Sequence, residues 1–134
     1  MTEQQAAGRG LPPGPLGYGA ANLGNLYTAM TDDEAWAVLE AAWDGGIRYF
    51  DTAPHYGLGL SERRLGAFLA TKPRQQFVVS TKAGRLLRPS PETAHLLDRA
   101  NDFAVPAELQ RVWDFSRDGI RRSLGESLQR LGLD

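Results

Sequence analysis

The stretch from Thr31 to Asp51 constrains the fold more than any other part of the chain. Thr31-Asp32-Asp33-Glu34 has the spacing of a capping box, in which a threonine hydroxyl and a glutamate carboxylate satisfy backbone N–H groups that a helix start leaves open. Ala35, Val38, Leu39, Ala42 and Trp43 then fall at offsets 0, 3, 4, 7 and 8, one face of a helix with 3.6 residues per turn. Gly45-Gly46 stops that helix near Asp44 by permitting left-handed backbone. Ile47-Arg48-Tyr49-Phe50-Asp51 follows at once, rich in β-branched and aromatic residues, and reads as a strand that Pro54 ends. A capped helix feeding directly into a strand is the second half of a βαβ unit, which commits the chain to an α/β fold with a parallel sheet.

The remaining segments continue the alternation. Residues 1–15 are polar and then Gly/Pro-rich, a lead-in to a short first strand around Leu16–Ala20. Ser61 is an N-cap candidate for a second helix that turns Leu65, Phe68 and Leu69 inward before Pro73. Phe77-Val78-Val79-Ser80-Thr81-Lys82 is a short β-branched strand closed by Ala83-Gly84. Residues 84–111 show no sustained period and contain Pro89, Pro91 and Pro106, so a long loop is expected there. Ile120, Leu124, Leu128 and Leu131, at offsets 0, 4, 8 and 11, predict a final amphipathic helix over about 114–131. Leu131-Gly132-Leu133-Asp134 is a helix stop where a further strand is expected, so residues 16–134 are expected to form a partial domain. Open edges on the first and third strands of such a sheet would favour self-association.

Composition narrows the function classes. Fifteen Lys and Arg against sixteen Asp and Glu leave a net charge of −1, without the basic footprint that nucleic acid or acidic lipid requires. The chain has no cysteine, which excludes a disulfide scaffold, a thiolate metal site and a cysteine nucleophile. No His, Asp and Glu spacing suggests a metal site. Met1 to Gly10 lacks the apolar core of a signal peptide, and no run approaches the roughly 18 apolar residues of a membrane span, so a cytoplasmic location is the expectation. Gly17-Tyr18-Gly19-Ala20-Ala21-Asn22 fails as a dinucleotide fingerprint because Asn22 stands at the third glycine position. Trp36 and Trp43 are read as core packing, and Arg111, Arg117, Arg121 and Arg122 as a solvated face.

In a parallel α/β fold, reacting groups collect at the C-terminal ends of the strands. The second strand ends in Asp51 and the third in Lys82. Neighbouring strands lie about 4.8 Å apart, so these two side chains can meet. Tyr56, five residues past Asp51, can fold back over the pair from the following loop. A free tyrosine has a pKa of about 10, and a neighbouring ammonium favours the phenolate. The trio therefore has a use: Asp51 holds Lys82 charged and oriented, and Tyr56 exchanges a proton with a carbonyl or alcohol oxygen. A structural ion pair at a sheet end is the bland alternative for Asp51 and Lys82.

These residues resemble the aldo-keto reductase family. Gly46-Ile47-Arg48-Tyr49-Phe50-Asp51-Thr52-Ala53-Pro54-His55-Tyr56-Gly57, then Ser61-Glu62, then Ser80-Thr81-Lys82, are similar to its second-strand and third-strand signatures, and the resemblance runs from about Leu16 to the last residue. Val112-Trp113-Asp114-Phe115-Ser116 is similar to a subgroup of sugar 1-dehydrogenases and pyridoxal 4-dehydrogenases. The resemblance implies a (β/α)8 TIM barrel, which takes about 250 residues, of which this chain supplies about three βα units. It also implies NADP or NAD as cofactor and a small carbonyl compound or sugar as substrate. In the implied catalytic tetrad Tyr56 is the acid or base, Lys82 its tuner and Asp51 the partner of Lys82; the fourth member, a histidine, would come from a strand beyond Asp134. His95 is a poor stand-in for it. Gly19, Ala20, Ala21 and Asp51 match positions near the nicotinamide, and His55 could line the substrate pocket. Two functions follow as expectations: the N-terminal part of an NAD(P)-dependent oxidoreductase, inactive alone, or a truncated, non-catalytic half-barrel that acts only through association.

Overall fold

The computed structural model describes Gly14 and residues 16–134. The expected lead-in over residues 1–15 lies almost wholly outside the described residues. Strands β1 (Tyr18–Gly19), β2 (Tyr49–Asp51) and β3 (Val78–Ser80) form a parallel sheet in the order β1-β2-β3. Helix α1 (Asp32–Asp44) crosses from β1 to β2, and α2 (Leu60–Leu69) from β2 to β3. The expected partial α/β barrel is therefore present as a three-stranded open sheet with its crossover helices.

Register sorts the side chains. Phe50 pairs with Tyr18 and Val79, while Gly19, Asp51 and Ser80 form the next row, at the C-terminal ends of the strands. Because side chains alternate along a strand, Phe50 enters the core while Tyr49 and Asp51 take the other face. Phe50 is fully buried with Leu23, Leu39, Leu65 and Phe68, and Trp36 and Trp43 close this cluster edge-on against Phe68 at 5.3 and 6.3 Å. Each large side chain buried here contributes about 1.5–3 kcal/mol.

The start of α1 matches expectation: the Thr31 hydroxyl accepts from the Glu34 N–H at 3.2 Å, and Glu34 Oε2 accepts from the Thr31 N–H at 2.7 Å. Gly46, at φ 94°, supplies the left-handed turn, while Gly45 stays right-handed. The start of α2 departs from it. The cap is Gly59, at φ 90° and with no side-chain bond, and Ser61 lies inside the first turn. The Ser61 hydroxyl is buried instead, donating to the Ala20 carbonyl at 2.7 Å and accepting from Thr52 at 2.8 Å. That stitch ties the ends of β1 and β2 to α2.

The long loop expected over residues 84–111 is an antiparallel hairpin. Strands β4 (Arg85–Pro89) and β5 (Leu109–Trp113) pair from Arg85 with Trp113 to Pro89 with Leu109. Pro89 is tolerated because it ends an edge strand, where a missing N–H costs little. The connector holds two short 3-10 turns and packs Phe103 and Val105 with Leu58 and Leu87 into a second cluster. Hydrophobic residues that looked aperiodic in the chain are thus the core of a small subdomain.

Helix α3 (Arg117–Leu131) is where expected, with Ser116 as its cap; of the expected apolar positions it buries Leu131, half-buries Ile120 and Leu128, and leaves Leu124 exposed. Gly119, Ser123, Ser127 and Leu131 are inward, whereas Leu124 is 46% exposed. Small residues allow close approach: a Cβ added at Gly66 of α2 would lie 2.5 Å from the Leu131 carbonyl oxygen. A helix at that distance buries small residues and leaves Leu124 outside.

Candidate active site

Asp51, Tyr56 and Lys82 meet at the C-terminal edge of the sheet. The Lys82 Nζ donates to Asp51 Oδ2 and to the Thr52 carbonyl, both at 2.9 Å, and lies 4.9 Å from the centre of the Tyr56 ring. The second Asp51 oxygen accepts from the Ser80 hydroxyl at 2.6 Å, and Ser80 in turn accepts from the Tyr49 phenol at 2.7 Å. Both carboxylate oxygens are therefore occupied, which fixes the plane of Asp51. Ser80 and Tyr49 were not singled out from the sequence. The β2–β3 register places Asp51 directly opposite Ser80, and that pairing is the signal that identifies them.

Burial works to raise the Asp51 carboxyl, but the bonds from Ser80 and Lys82 outweigh it and hold the group below its ordinary value. Burial likewise works to lower Lys82, yet its hydrogen bond to Asp51 and the proximity of Tyr56 outweigh it and raise the ammonium above its usual value. Both shifts favour the charged pair at neutral pH. With side chains 46% and 40% exposed, the pair adds about 0–1 kcal/mol to stability. Its arrangement suits chemistry better than it suits holding the fold together.

Tyr56 is placed by backbone. Gly57, Leu58 and Gly59 take successive positive φ values of 62°, 53° and 90°. Such a run winds the chain tightly enough to carry Tyr56 back over Lys82, and Leu58 adopts a conformation that costs a residue with a Cβ about 1–3 kcal/mol. Gly24 and Gly57 touch through bare backbone: a Cβ on Gly57 would sit 2.3 Å from the Gly24 oxygen. These glycines set the height of the tyrosine loop above the sheet.

His55 lies beside Tyr56, ring centres 4.7 Å apart and edge to face. Burial and the nearby cations Arg85, Arg111 and Lys82 pull its pKa down to about 4 against the opposing effect of Asp98, so the ring is neutral at physiological pH. Its Nδ1 is buried without a partner among the described residues. Arg111, read from the sequence as part of a solvated face, is instead largely buried, its side chain 11% exposed. It pairs with Asp98 at 2.7 Å and donates to the His55 carbonyl at 2.8 Å, which pins the hairpin to the tyrosine loop. Arg117, Arg121 and Arg122 are exposed, as expected.

Pro54, His55, Lys82, Ala83, Arg85 and Trp113 line a cavity of about 270 Å³. A larger one, about 500 Å³, lies within the hairpin. Of the residues matched to a nicotinamide site, Gly19 is exposed and pairs in register with Asp51, and a Cβ built on it meets nothing within 4 Å. Ala21 is half-buried beside it, whereas the Ala20 side chain is fully buried in the core. The space over Gly19, next to Asp51, is open. His95 is exposed in the hairpin connector.

Behind Lys82, the Thr81 hydroxyl donates to Glu62 at 2.7 Å, and Glu62, fully buried, pairs with Arg130 of α3 at 2.5 Å. The segment carrying the lysine is thereby anchored to two helices.

Comparison with known proteins shows the family of this chain. Residues 15–134 match the model of the aldo/keto reductase family. The chain is 70% identical over 134 residues to a D-threo-aldose 1-dehydrogenase from a Pseudomonas species, covering 99% of this chain and 41% of that protein. It is 43% identical over 139 residues to a pyridoxal 4-dehydrogenase from Microbacterium luteolum, covering 98% and 40%. The solved glycerol dehydrogenase of Gluconobacter oxydans superposes with a TM-score of 0.63 at 30% identity, over 87% of this chain and 32% of that one. The chain thus spans about 40% of the length of the curated relatives it matches. No helix among the described residues is long and apolar enough to cross a membrane. With its parallel βα units, the Asp51, Tyr56 and Lys82 cluster at the strand ends and a family match over nearly all of its length, the chain belongs to the aldo/keto reductase family.

Proposed function

We propose that this chain forms the proton-handling part of an NAD(P)-dependent oxidoreductase acting on a sugar or small aldehyde. The observation that carries this is the Lys82 ammonium, held on Asp51 at 2.9 Å and poised 4.9 Å from the Tyr56 ring. Tyr56 exchanges the proton with the oxygen of the reacting carbonyl or alcohol. Lys82 supplies a fixed positive charge beside the phenol while the proton is exchanged. Asp51, with both oxygens bonded, keeps Lys82 charged and aimed. Gly19 and Ala21 border the space for a nicotinamide, which when bound supplies or accepts the hydride. His55, neutral and beside Tyr56, forms part of the substrate wall. The names of the 70% and 43% identical relatives, an aldose dehydrogenase and a pyridoxal dehydrogenase, support a sugar or small aldehyde as substrate.

A chimaera tests this. Residues 1–134 of the chain replace the matching part of the Pseudomonas D-threo-aldose 1-dehydrogenase, and oxidation of a D-threo-aldose is followed with NAD⁺ and with NADP⁺. Turnover within tenfold of the parent enzyme is the expected result. A folded chimaera that turns over no aldose with either nucleotide would count against the oxidoreductase reading and leave the non-catalytic one.

A further inference from the structure

The hairpin carries a feature that the proton chemistry does not use. Arg85 begins β4 directly opposite Trp113 at the end of β5, and its guanidinium lies 3.9 Å from the centre of the indole. Phe115 stacks on the same indole at 5.3 Å and 28°. Arg85 has no hydrogen-bond or ion-pair partner among the described residues, whereas the two neighbouring cations are engaged, Lys82 with Asp51 and Arg111 with Asp98. Arg85 and Trp113 line both the cavity at Lys82 and the larger one within the hairpin. A planar guanidinium stacked on an aromatic ring keeps its in-plane N–H donors free and loses little entropy when it binds.

The cavity at Lys82 mixes two kinds of surface. Pro54, Ala83 and the Trp113 indole are apolar, and His55, Lys82 and Arg85 are polar. Hydroxyl groups both donate and accept, and the site offers both functions: Arg85 only donates, while a neutral imidazole donates at one nitrogen and accepts at the other. An apolar aldehyde would leave Arg85 unused. A site built for an anion would gather more than one unpaired donor, and among the described residues lining this cavity Arg85 alone is a cation without an ion-pair partner. A volume of about 270 Å³ suits one small ring.

We propose that Arg85, held in place by Trp113, reads the ring hydroxyls of an aldose seated in the cavity between Lys82 and the hairpin. It rests on the oxidoreductase reading only in placing the reacting carbon at Tyr56 and Lys82. Arg85 thereby sets substrate specificity, and the β4–β5 hairpin is the element that chooses the sugar.

The test is a ¹H–¹⁵N NMR titration of the 134-residue chain, following the Trp113 indole N–H and the Arg85 Nε–H. D-arabinose, L-galactose, benzaldehyde and inorganic phosphate are the probes. At least one aldose is expected to shift both signals saturably, and Arg85→Met to weaken its Kd at least tenfold while the remaining amide dispersion is retained. Arg85→Lys, which keeps the charge and loses the planar fork, is expected to weaken it as well. Benzaldehyde binding as tightly as the aldoses and indifferent to Arg85 would overturn the proposal. So would phosphate displacing the aldose at lower concentration than the aldose itself binds, or no saturable shift with either sugar. The chimaera separates the two ideas: turnover there without aldose shifts at Arg85 removes the hairpin's role and keeps the oxidoreductase.

Discussion

Two glycine-to-alanine substitutions, identical in chemistry, are expected to change stability in opposite directions. Gly57 has φ 62° and a built Cβ 2.3 Å from the Gly24 carbonyl oxygen. Real Cβ contacts essentially never fall below 3.0 Å, so Gly57→Ala forces the two backbones apart by at least about 0.7 Å. Left-handed backbone costs a non-glycine residue at least about 1 kcal/mol, and overpacking a closed contact adds about 1–3 kcal/mol. The loss is therefore about 2–4 kcal/mol, which at roughly 3–5 °C per kcal/mol for a domain of this size lowers Tm by about 10 °C. Gly125 lies within α3, and its built Cβ meets nothing within 4 Å. Gly125→Ala gains helix propensity and is expected to stabilise by about 0.5–1 kcal/mol. Urea and thermal melts followed by circular dichroism at 222 nm measure both. A Gly57→Ala chain melting within about 2 °C of the parent, or a Gly125→Ala chain that loses as much as Gly57→Ala, would refute the close-approach argument.

Removal of Asp98 leaves the largely buried Arg111 without its partner, so Asp98→Ala is expected to cost about 3–5 kcal/mol by urea melt; a loss under 1 kcal/mol would show that the pair is solvated in solution. Leu124→Ala is expected to cost less than about 1 kcal/mol and Leu39→Ala about 2–5 kcal/mol, because Leu124 is 46% exposed and Leu39 1%. Equal losses would restore the helix face expected from periodicity. His55 is held near 4 in the folded chain and titrates near 6.5 when unfolded. Between those values the unfolded chain takes up a proton that the folded chain does not, so stability present above pH 6.5 is lost as pH falls toward 4. The ring is only about half buried, and after allowance for solvent screening the loss is about 1 kcal/mol. Asp51, held low, acts in the same direction and loses its contribution as pH falls below its ordinary value of 3.8. A urea midpoint that is flat or rising from pH 7 to pH 4.5 would contradict this.

Those elements whose signals are local could be read from the chain. The capping box of α1 and the β-branched strand β3 needed no tertiary information, and Asp51 with Lys82 followed once the strands were known to be parallel neighbours. The hairpin could not be read this way, because Leu87, Phe103 and Val105 become a core only after folding on Leu58 and Leu26. Gly119, Ser123 and Ser127 carry no hydrophobic signal, yet close approach to α2 and the hairpin makes theirs the buried face of α3. Arg111 looked like surface charge because its partner, Asp98, lies thirteen residues away along a loop whose path the sequence does not define. In the site, the Ser80 hydroxyl and the stacking of Arg85 on Trp113 both depend on strand register, which a one-residue slip would undo.

The role of Tyr56 is the centre of this account, and the measurement that reaches it most directly is the turnover number of the chimaera with Tyr56→Phe, beside Lys82→Met and the unsubstituted form. General acid–base catalysis contributes about 10²–10⁴-fold. Tyr56→Phe is expected to lower kcat by that factor with KM for the aldose changed by less than about threefold, since the ring and its packing remain. A Tyr56→Phe chimaera that keeps more than a tenth of the unsubstituted kcat would show that the proton travels by another group.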